Sequence, residues 1–246
     1  MRYFIKLAYD GTGFHGWQVQ KNSHTVQAEI EKKLSLIFGE QISVTGCGRT
    51  DTGVHAREFF AHFDTNKEFA FNTKDLIYKL NNFFNEAIAI YDIFPVPENM
   101  HARFSAVSRT YKYYINTVKN PFITQYSYFI PMLLDVDAMN MAAKHLLEFR
   151  DFTSFSKLHT QTATNICNIT KAYWERQENG DFIFTITADR FLRNMVRAVV
   201  GTLLEAGKGK IKPADIKKII EAKDRGKAGF SAPAHGLFLE KILYDF

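Results

Sequence analysis

The first residues of the chain alternate between apolar and polar side chains, with a large apolar or aromatic residue at every second position from 3 to 9. Such a period of two predicts a β-strand with one buried face. After a turn the spacing changes to three or four residues, which predicts an amphipathic helix between a capping Thr25 and a terminating Gly39. The apolar stripe of this helix consists of Val26, Ile30, Leu34 and Ile37.

The same two patterns recur along the chain and divide it into two halves. In the first half we predict a strand at 2–9, a helix at 25–39, strands at 41–46 and 58–64, a helix at 72–84 and a strand at 87–94. After a connector, the second half has predicted strands at 107–117, 166–176, 182–188 and 237–244, and helices at 135–148, 191–206 and, as a basic addition, 213–223. Each half therefore has the order strand, helix, strand, strand, helix, strand.

This order predicts an α+β fold with two βαββαβ units, of the kind found in ferredoxins and RNA-recognition motifs. We expect the units to form an extended, mixed and largely antiparallel sheet, with helices packed on one side and a central catalytic cleft. The predicted domains are residues 1–102 and 103–246. The aromatic signature of RNA-recognition motifs is absent from the sequence, so the fold alone does not predict a binding module of that type.

The composition of the chain indicates which kind of binding partner and which cellular compartment to expect. The 246 residues carry a formal charge of +5, a pI of about 9.0 and 15% aromatic side chains. These values are typical of a protein with a polyanionic partner such as RNA or DNA, although a slightly basic enzyme without one fits equally well. Cys47 and Cys167 have no paired metal-ligand spacing, which favours a reducing cytoplasm. No apolar run is long enough to cross a membrane.

Residues 46–56, GCGRTDTGVHA, are the strongest candidate for chemistry. They connect two predicted strands and include three glycines, which allow a tight turn close to a ligand. Asp51 is either a nucleophile or base on a rigid turn, or a turn residue that hydrogen-bonds its own backbone, which is the commoner role. Arg49 is either a salt-bridge partner or a nucleic-acid contact that enters the gap left by a flipped base.

Two further candidates lie in the second half. Tyr111 belongs to the stretch SRTYKYY, whose aromatic and basic residues suit base stacking and phosphate neutralisation, or else a strand half-buried against the core. Arg197 stands among apolar residues of a predicted helix, on one face with Arg193 and Gly201, and Gly201 would let another backbone pack closely. Arg197 either pairs with a buried anion, for which Asp51 is the candidate, or extends to solvent.

Weaker signals come from two other groups of residues. Asp51, His55, His62 and Asp64 are close in sequence, but their spacing matches no familiar metal site, and we predict none. Lysines and arginines crowd residues 208–227, either as a phosphate-binding patch or as solvated helix faces. A serine-type triad and a phosphate-cradling glycine-rich loop are missing from the sequence.

Eight motifs, spread over nearly the whole chain, resemble the tRNA pseudouridine synthase A family. They are YDGTGFHGWQ (9–18), TVQAEIEKKL (25–34), GRTDTGVHA (48–56), HARFSA (101–106), RTYKYYI (109–115), DFTSF (151–155), FLRNMVRAVVGTL (191–203) and SAPAHGLFL (231–239). The RTDTGVH loop followed by the MVR helix is highly specific. The chain departs from the family pattern at Thr52, where alanine is common, and near Phe59, where glutamine is common.

The resemblance implies an enzyme that isomerises uridine to pseudouridine at positions 38 to 40 of the tRNA anticodon stem-loop. It implies that Asp51 is the catalytic aspartate, that Tyr111 stacks on the target uracil and that Arg197 pairs with the aspartate. It also implies that Arg49 enters the space vacated by the flipped base and that Leu237 walls the uracil pocket.

The family resemblance further implies a homodimer that uses no cofactor and no metal, and the lack of a long apolar run leads us to expect no membrane partner. A non-catalytic RNA-binding protein on the same fold is the alternative function. A small-molecule enzyme is a third class, which would show no salt-dependent binding of tRNA.

Overall fold

The computed structural model describes residues 1–66, 72–157 and 164–245. It confirms the α+β fold class, with strands that pair mostly antiparallel. The chain forms two compact units, one of residues 1–107 with 239–246 and the other of residues 108–238. None of the described helices is long and apolar enough to cross a membrane. The predicted domain boundary after residue 102 stays a prediction.

The first unit contains the first six elements in the predicted order. They are β1 Arg2–Tyr9, α1 Val26–Phe38, β2 Val44–Gly46, β3 His55–Asp64, α2 Thr73–Phe83 and β4 Ile88–Val96. The last strand, β9 Leu237–Tyr244, joins this unit from residue 239 onward. β1 lies between β4 and β3 and is antiparallel to both, while β2 and β9 are the further neighbours of β3.

Both helices of the first unit begin at a side chain that satisfies a backbone N–H of the first turn. The Thr25 hydroxyl accepts from Ala28 N and the Asn72 amide oxygen accepts from Asp75 N, so Asn72 caps α2. The C-terminal end of α1 has Gly39 in the left-handed conformation. Burial of the apolar stripe then holds α1 against the sheet, with Phe38 as the fourth fully packed position in place of Ile37.

The second unit repeats the order strand, helix, strand, strand, helix with two additions, and only the first two residues of the final strand β9 belong to it. Its elements are β5 Ala106–Asn116, β6 Tyr128–Phe129, α3 Val136–His145, β7 Ile169–Arg176, β8 Phe182–Ala188, α4 Met195–Gly207 and α5 Asp215–Glu221. The two additions are β6 and α5. β8 lies between β5 and β7 and is antiparallel to both. The two-residue strand β6 pairs parallel with β5, which makes the sheet mixed. A strand this short has no periodicity and was not predicted from the sequence.

The start of α4 differs from the prediction. The helix begins at Met195 because Asn194 has a φ of 64°, a left-handed conformation that cannot continue an α-helix. Arg193 therefore precedes the helix, and the prediction that it shares a helical face with Arg197 is wrong. The apolar spacing of residues 191–194 gave no sign of this break, because the pattern continues across it.

Candidate active site

The loop that carries Asp51 is framed by two strands and closed by its own backbone. β2 ends at Gly46 and β3 begins at His55, and Cys47 N donates to the carbonyl oxygen of Phe60 on β3 at 2.8 Å. Within the loop, Val54 N donates to the carbonyl oxygen of Asp51 at 3.1 Å. This turn uses a φ of 77° at Gly53, as predicted for a glycine in this loop. Asp51 itself is half-buried.

Thr50, the residue before Asp51, is held through both its side chain and its backbone. Its hydroxyl lies 2.9 Å from the Tyr9 hydroxyl at the end of β1. Its carbonyl oxygen accepts from Trp17 N at 3.3 Å, and the Trp17 ring stacks on Phe59 with centroids 4.0 Å apart. Phe59 therefore packs beneath the loop through its contact with Trp17. It lies near one of the departures from the family pattern. The backbone that presents Asp51 is rigidly supported from two sides.

His55, which follows the loop, supports it through a buried ring nitrogen. Its Nδ1 lies 3.1 Å from Gly11 N and also 3.1 Å from the Asp10 carboxylate. One nitrogen cannot accept from an N–H and donate to a carboxylate at once, and the two contacts require different protonation states. We assign Nδ1 as the acceptor for Gly11, because the Asp10 oxygen already accepts from both the backbone and the hydroxyl of Thr12.

Arg49 is exposed on the same loop. Within residues 1–66, 72–157 and 164–245 its side chain makes no hydrogen bond and no ion pair, so the salt-bridge alternative has no support there. An exposed guanidinium on a rigid loop is available to a phosphate or a base.

Tyr111 lies on β5 opposite Ile186 of β8 and is half-buried. Phe191 meets its ring edge to face, with centroids 5.1 Å apart and an interplanar angle of 87°. Two residues along the strand, Tyr113 is fully buried and its hydroxyl donates to the carbonyl oxygen of Pro233 at 2.8 Å. Burial raises the pKa of Tyr113 well above its ordinary value. β5 therefore holds Tyr113 in the core and leaves part of the Tyr111 ring accessible to solvent.

Arg197 on α4 is half-buried and is tied to the segment before β9. Its Nε donates to the carbonyl oxygen of Ala232 at 2.7 Å, and Ala232 N donates back to the carbonyl oxygen of Arg197 at 3.0 Å. A Cβ at Gly201 would overlap the carbonyl oxygen of Phe230, which confirms the prediction that Gly201 admits a second backbone. Burial, helped by the charge of Arg197, lowers the pKa of His235 nearby.

Sequence reasoning missed the side chains that hold this segment against α4. Ser231 Oγ accepts from Asn194 Nδ2 at 2.7 Å and lies 3.0 Å from a guanidinium nitrogen of Arg225. Thr202 Oγ1 accepts from Gly229 N at 2.8 Å. In the sequence Asn194 looked like an ordinary position inside the predicted helix, so no pattern pointed to this network.

Leu237 begins β9 and is 5% exposed, so it is an apolar, almost buried residue. Asp51 and Arg49 belong to the first unit, and Tyr111, Arg197 and Leu237 belong to the second. The pairing of Asp51 with Arg197, and the role of each of the five residues, stay predictions.

The metal candidates have other roles in the structure. The Asp64 carboxylate makes a two-point contact with the Arg2 guanidinium, at 2.9 and 2.8 Å, and this hydrogen bonding lowers the pKa of Asp64. His62 points into the core and accepts from a backbone N–H. Among the described residues, no three His, Cys, Asp or Glu side chains form a group that could hold a metal ion.

The lysines of the basic segment after α4 are largely paired in the structure, some with acids of α4 and of the segment itself and some with acids of a distant segment. Five lysines lie within 4.0 Å of a carboxylate. The pairs are Lys208 and Lys210 with Glu205, Lys217 with Glu148, Lys218 with Asp215, and Lys223 with Asp151. These pairs favour solvated helix faces over a phosphate-binding patch.

Comparison with known proteins gives consistent matches. A family model described as tRNA pseudouridine synthase matches residues 142–245. The chain is 51% identical to tRNA pseudouridine synthase A of Bacteroides thetaiotaomicron, over 99% of this chain and 90% of that protein. It is 51% identical to the protein of the same name from Parabacteroides distasonis, over 99% and 96% of the two chains. With that of Bacillus subtilis it shares 41% identity over 100% of both.

Proposed function

The chain belongs to the tRNA pseudouridine synthase A family, and from this premise we infer that it isomerises uridine to pseudouridine in tRNA. The observation that carries the inference is the identity of 41% to 51% with proteins of that name over essentially the whole chain. The match covers both compact units. It therefore includes the loop with Asp51, the strand β5 with Tyr111 and the helix α4 with Arg197.

The reaction breaks the N1–C1′ bond of uridine, turns the base and joins C5 to C1′. The proton on C5 leaves and N1 gains one, so the nucleotide keeps its composition and no oxidant or reductant enters. The target base must first leave the stack, as in other enzymes that modify a base. A carboxylate assists either as a nucleophile on C1′ or by helping to form a glycal-like intermediate.

We assign this carboxylate to Asp51. Its support is the loop around it, in which Thr50 is fixed by Tyr9 and Trp17 and the Asp51 carbonyl closes a turn. A group held in one geometry before the substrate arrives avoids reorganisation during the reaction. Arg197 keeps the carboxylate ionised, since a neighbouring guanidinium favours the charged form. The half-buried Arg197 is suited to this role because its Nε is already anchored on Ala232.

The other three residues contact the nucleotide. Tyr111 stacks on the target uracil, with Phe191 against its ring as a fixed support. Leu237 supplies an apolar wall of the uracil pocket. Arg49 occupies the space that the flipped base leaves in the RNA, and its exposure on a rigid loop favours this role.

The substrate uridines are those at positions 38 to 40 of the anticodon stem-loop, and the protein acts as a homodimer in the cytoplasm. Neither a cofactor nor a metal takes part. Both cysteines are buried as free thiols, which is consistent with a reducing compartment.

Tritium release from tRNA labelled at C5 of uridine tests the function, because forming the C5–C1′ bond expels the label. The native protein is expected to release tritium from such tRNA. A non-catalytic RNA-binding protein would bind tRNA and release none, and a small-molecule enzyme would show no salt-dependent binding. Replacing the uridines at positions 38 to 40 by cytidine should abolish release, and persistent release would contradict the assignment of positions.

A further inference from the structure

Residues 98–105 form a turn in the first unit whose backbone is held by side chains of three strands. Arg2 on β1 donates from one guanidinium nitrogen to two carbonyl oxygens of the turn, at 2.7 and 2.9 Å. His62 on β3 accepts from Ala102 N at 3.1 Å, and the Tyr244 hydroxyl on β9 donates to the carbonyl oxygen of Ala102. Ala102 is fully buried, so both of its backbone groups depend on these partners.

The turn also fastens itself from within. His101 Nδ1 lies 3.1 Å from Arg103 N and 3.3 Å from Phe104 N. Ser105 Oγ accepts from His101 N at 2.9 Å, and Ser105 N donates to the carbonyl oxygen of His101 at 2.9 Å. These bonds leave the conformation of residues 101–105 with little freedom, although the segment contains no regular helix or strand.

This rigid turn presents an aromatic ring to solvent. Phe104 is 76% exposed, its ring lies 4.4 Å from the His101 ring, and the Arg103 guanidinium lies 5.6 Å from its centroid. A phenylalanine side chain stabilises a fold chiefly through its burial, and the exposed Phe104 contributes little in this way. The turn therefore holds the Phe104 ring, with the Arg103 guanidinium beside it, in an exposed position that contributes little to the stability of the fold.

We propose that residues 98–105 are a tRNA contact outside the candidate active site, in which Phe104 stacks on an unpaired base and Arg103 lies against a neighbouring phosphate. The proposal rests on the proposed function, which makes tRNA the substrate. An aromatic ring with an adjacent guanidinium is the combination by which proteins hold unpaired bases. A second copy of this chain has the same formal net charge of +5, so RNA phosphates complement the exposed Arg103 better than a second copy does.

The first test compares tRNA dissociation constants of three variants. Phe104→Ala should weaken binding by about 5- to 150-fold, the range that alanine substitution of a stacking ring produces. Phe104→Trp should restore it, because the larger ring also stacks. Tyr78→Ala, at a tyrosine 71% exposed on α2 of the same unit, is the matched control and should change binding by less than about 2-fold. All three should unfold at the native temperature, since both rings are exposed.

The second test separates the ring from the cation through salt. The slope of log K against log salt concentration should fall by about 0.9 in Arg103→Gln, because one phosphate contact is lost. Phe104→Ala should leave that slope unchanged. A merely structural role for the turn would weaken binding and thermal stability together, without this division.

Native affinity in Phe104→Ala would overturn the proposal. So would a change in sedimentation of Phe104→Ala with tRNA binding intact, which would place a second copy of the chain on the ring. The proposed function fails separately: the native protein would then release no tritium, while Phe104→Ala would still weaken tRNA binding. Absence of tRNA binding by the native protein would overturn both.

Discussion

Acidification should destabilise the first unit through His62. The ring is 5% exposed, stacks on Phe4 with centroids 6.1 Å apart, and accepts from Ala102 N through Nδ1. Only the neutral ring can accept this bond. Burial, with the charges of Arg2 and His101, lowers the pKa of His62 from 6.5 to about 4, against a smaller opposing effect of Asp64.

Proton linkage determines the direction and the size of the stability change that His62 causes. The folded protein binds a proton at His62 less readily than the unfolded chain, so the stability from the neutral ring is full above pH 6.5 and is lost as the pH falls to about 4. At about 1.4 kcal/mol for each tenfold change in proton affinity, the whole difference is about 3 kcal/mol. Roughly 2 kcal/mol of it should disappear between pH 7 and pH 5.

Urea unfolding at pH 7 and pH 5 measures this loss. His62→Asn is the informative variant, because its amide oxygen can accept from Ala102 N but does not titrate. This variant should lose most of the pH dependence of stability between pH 7 and pH 5. A smaller dependence should remain because burial also lowers the pKa of His101. His15→Asn, at an exposed histidine, is the matched control and should keep the native pH dependence. Equal losses in the native and His62→Asn proteins would refute the reasoning.

Two further predictions concern the candidate active site. Thr50→Val removes the hydroxyl that bonds to Tyr9, and it should lower the single-turnover rate of tritium release about 10- to 100-fold while tRNA affinity stays unchanged. Thr50→Ser keeps the hydroxyl and should release tritium at a near-native rate. A native rate in Thr50→Val would contradict the claim that this bond supports Asp51. Gly201→Ala should destabilise the protein by about 1–3 kcal/mol in urea, because its Cβ overlaps Phe230 O. Gly13→Ala, with open space around it, should have little effect, and equal stabilities of the two variants would contradict the close packing on α4.

The order of strands and helices was predictable because each element carries its own periodicity and its own end signals. Thr25 and Gly39 mark the limits of α1 within the local sequence, and both have the predicted roles. Gly201 was predictable for a similar reason, since a glycine among bulky helical residues points to a close backbone neighbour. The loop between Gly46 and His55 could be recognised because apolar strands were predicted on both sides of it, although β3 begins earlier than the predicted residue 58.

Features built from remote residues were not predictable. The turn of residues 98–105 depends on Arg2, His62 and Tyr244, which are spread over the whole chain and gave no local pattern. Lys217 and Lys223 looked unpaired because their partners, Glu148 and Asp151, come from a distant segment. The left-handed Asn194 places the start of α4 at Met195, although the apolar spacing predicted a helix from residue 191.

Tritium release by Asp51→Asn tests the central claim most directly. The substitution preserves the shape of the side chain and removes its negative charge, so the loop held by Thr50 should stay folded. We predict that release from C5-labelled tRNA falls by at least about 10³-fold, while tRNA affinity stays within about 2-fold of native. Near-native release by Asp51→Asn would contradict the assignment of Asp51 as the catalytic carboxylate.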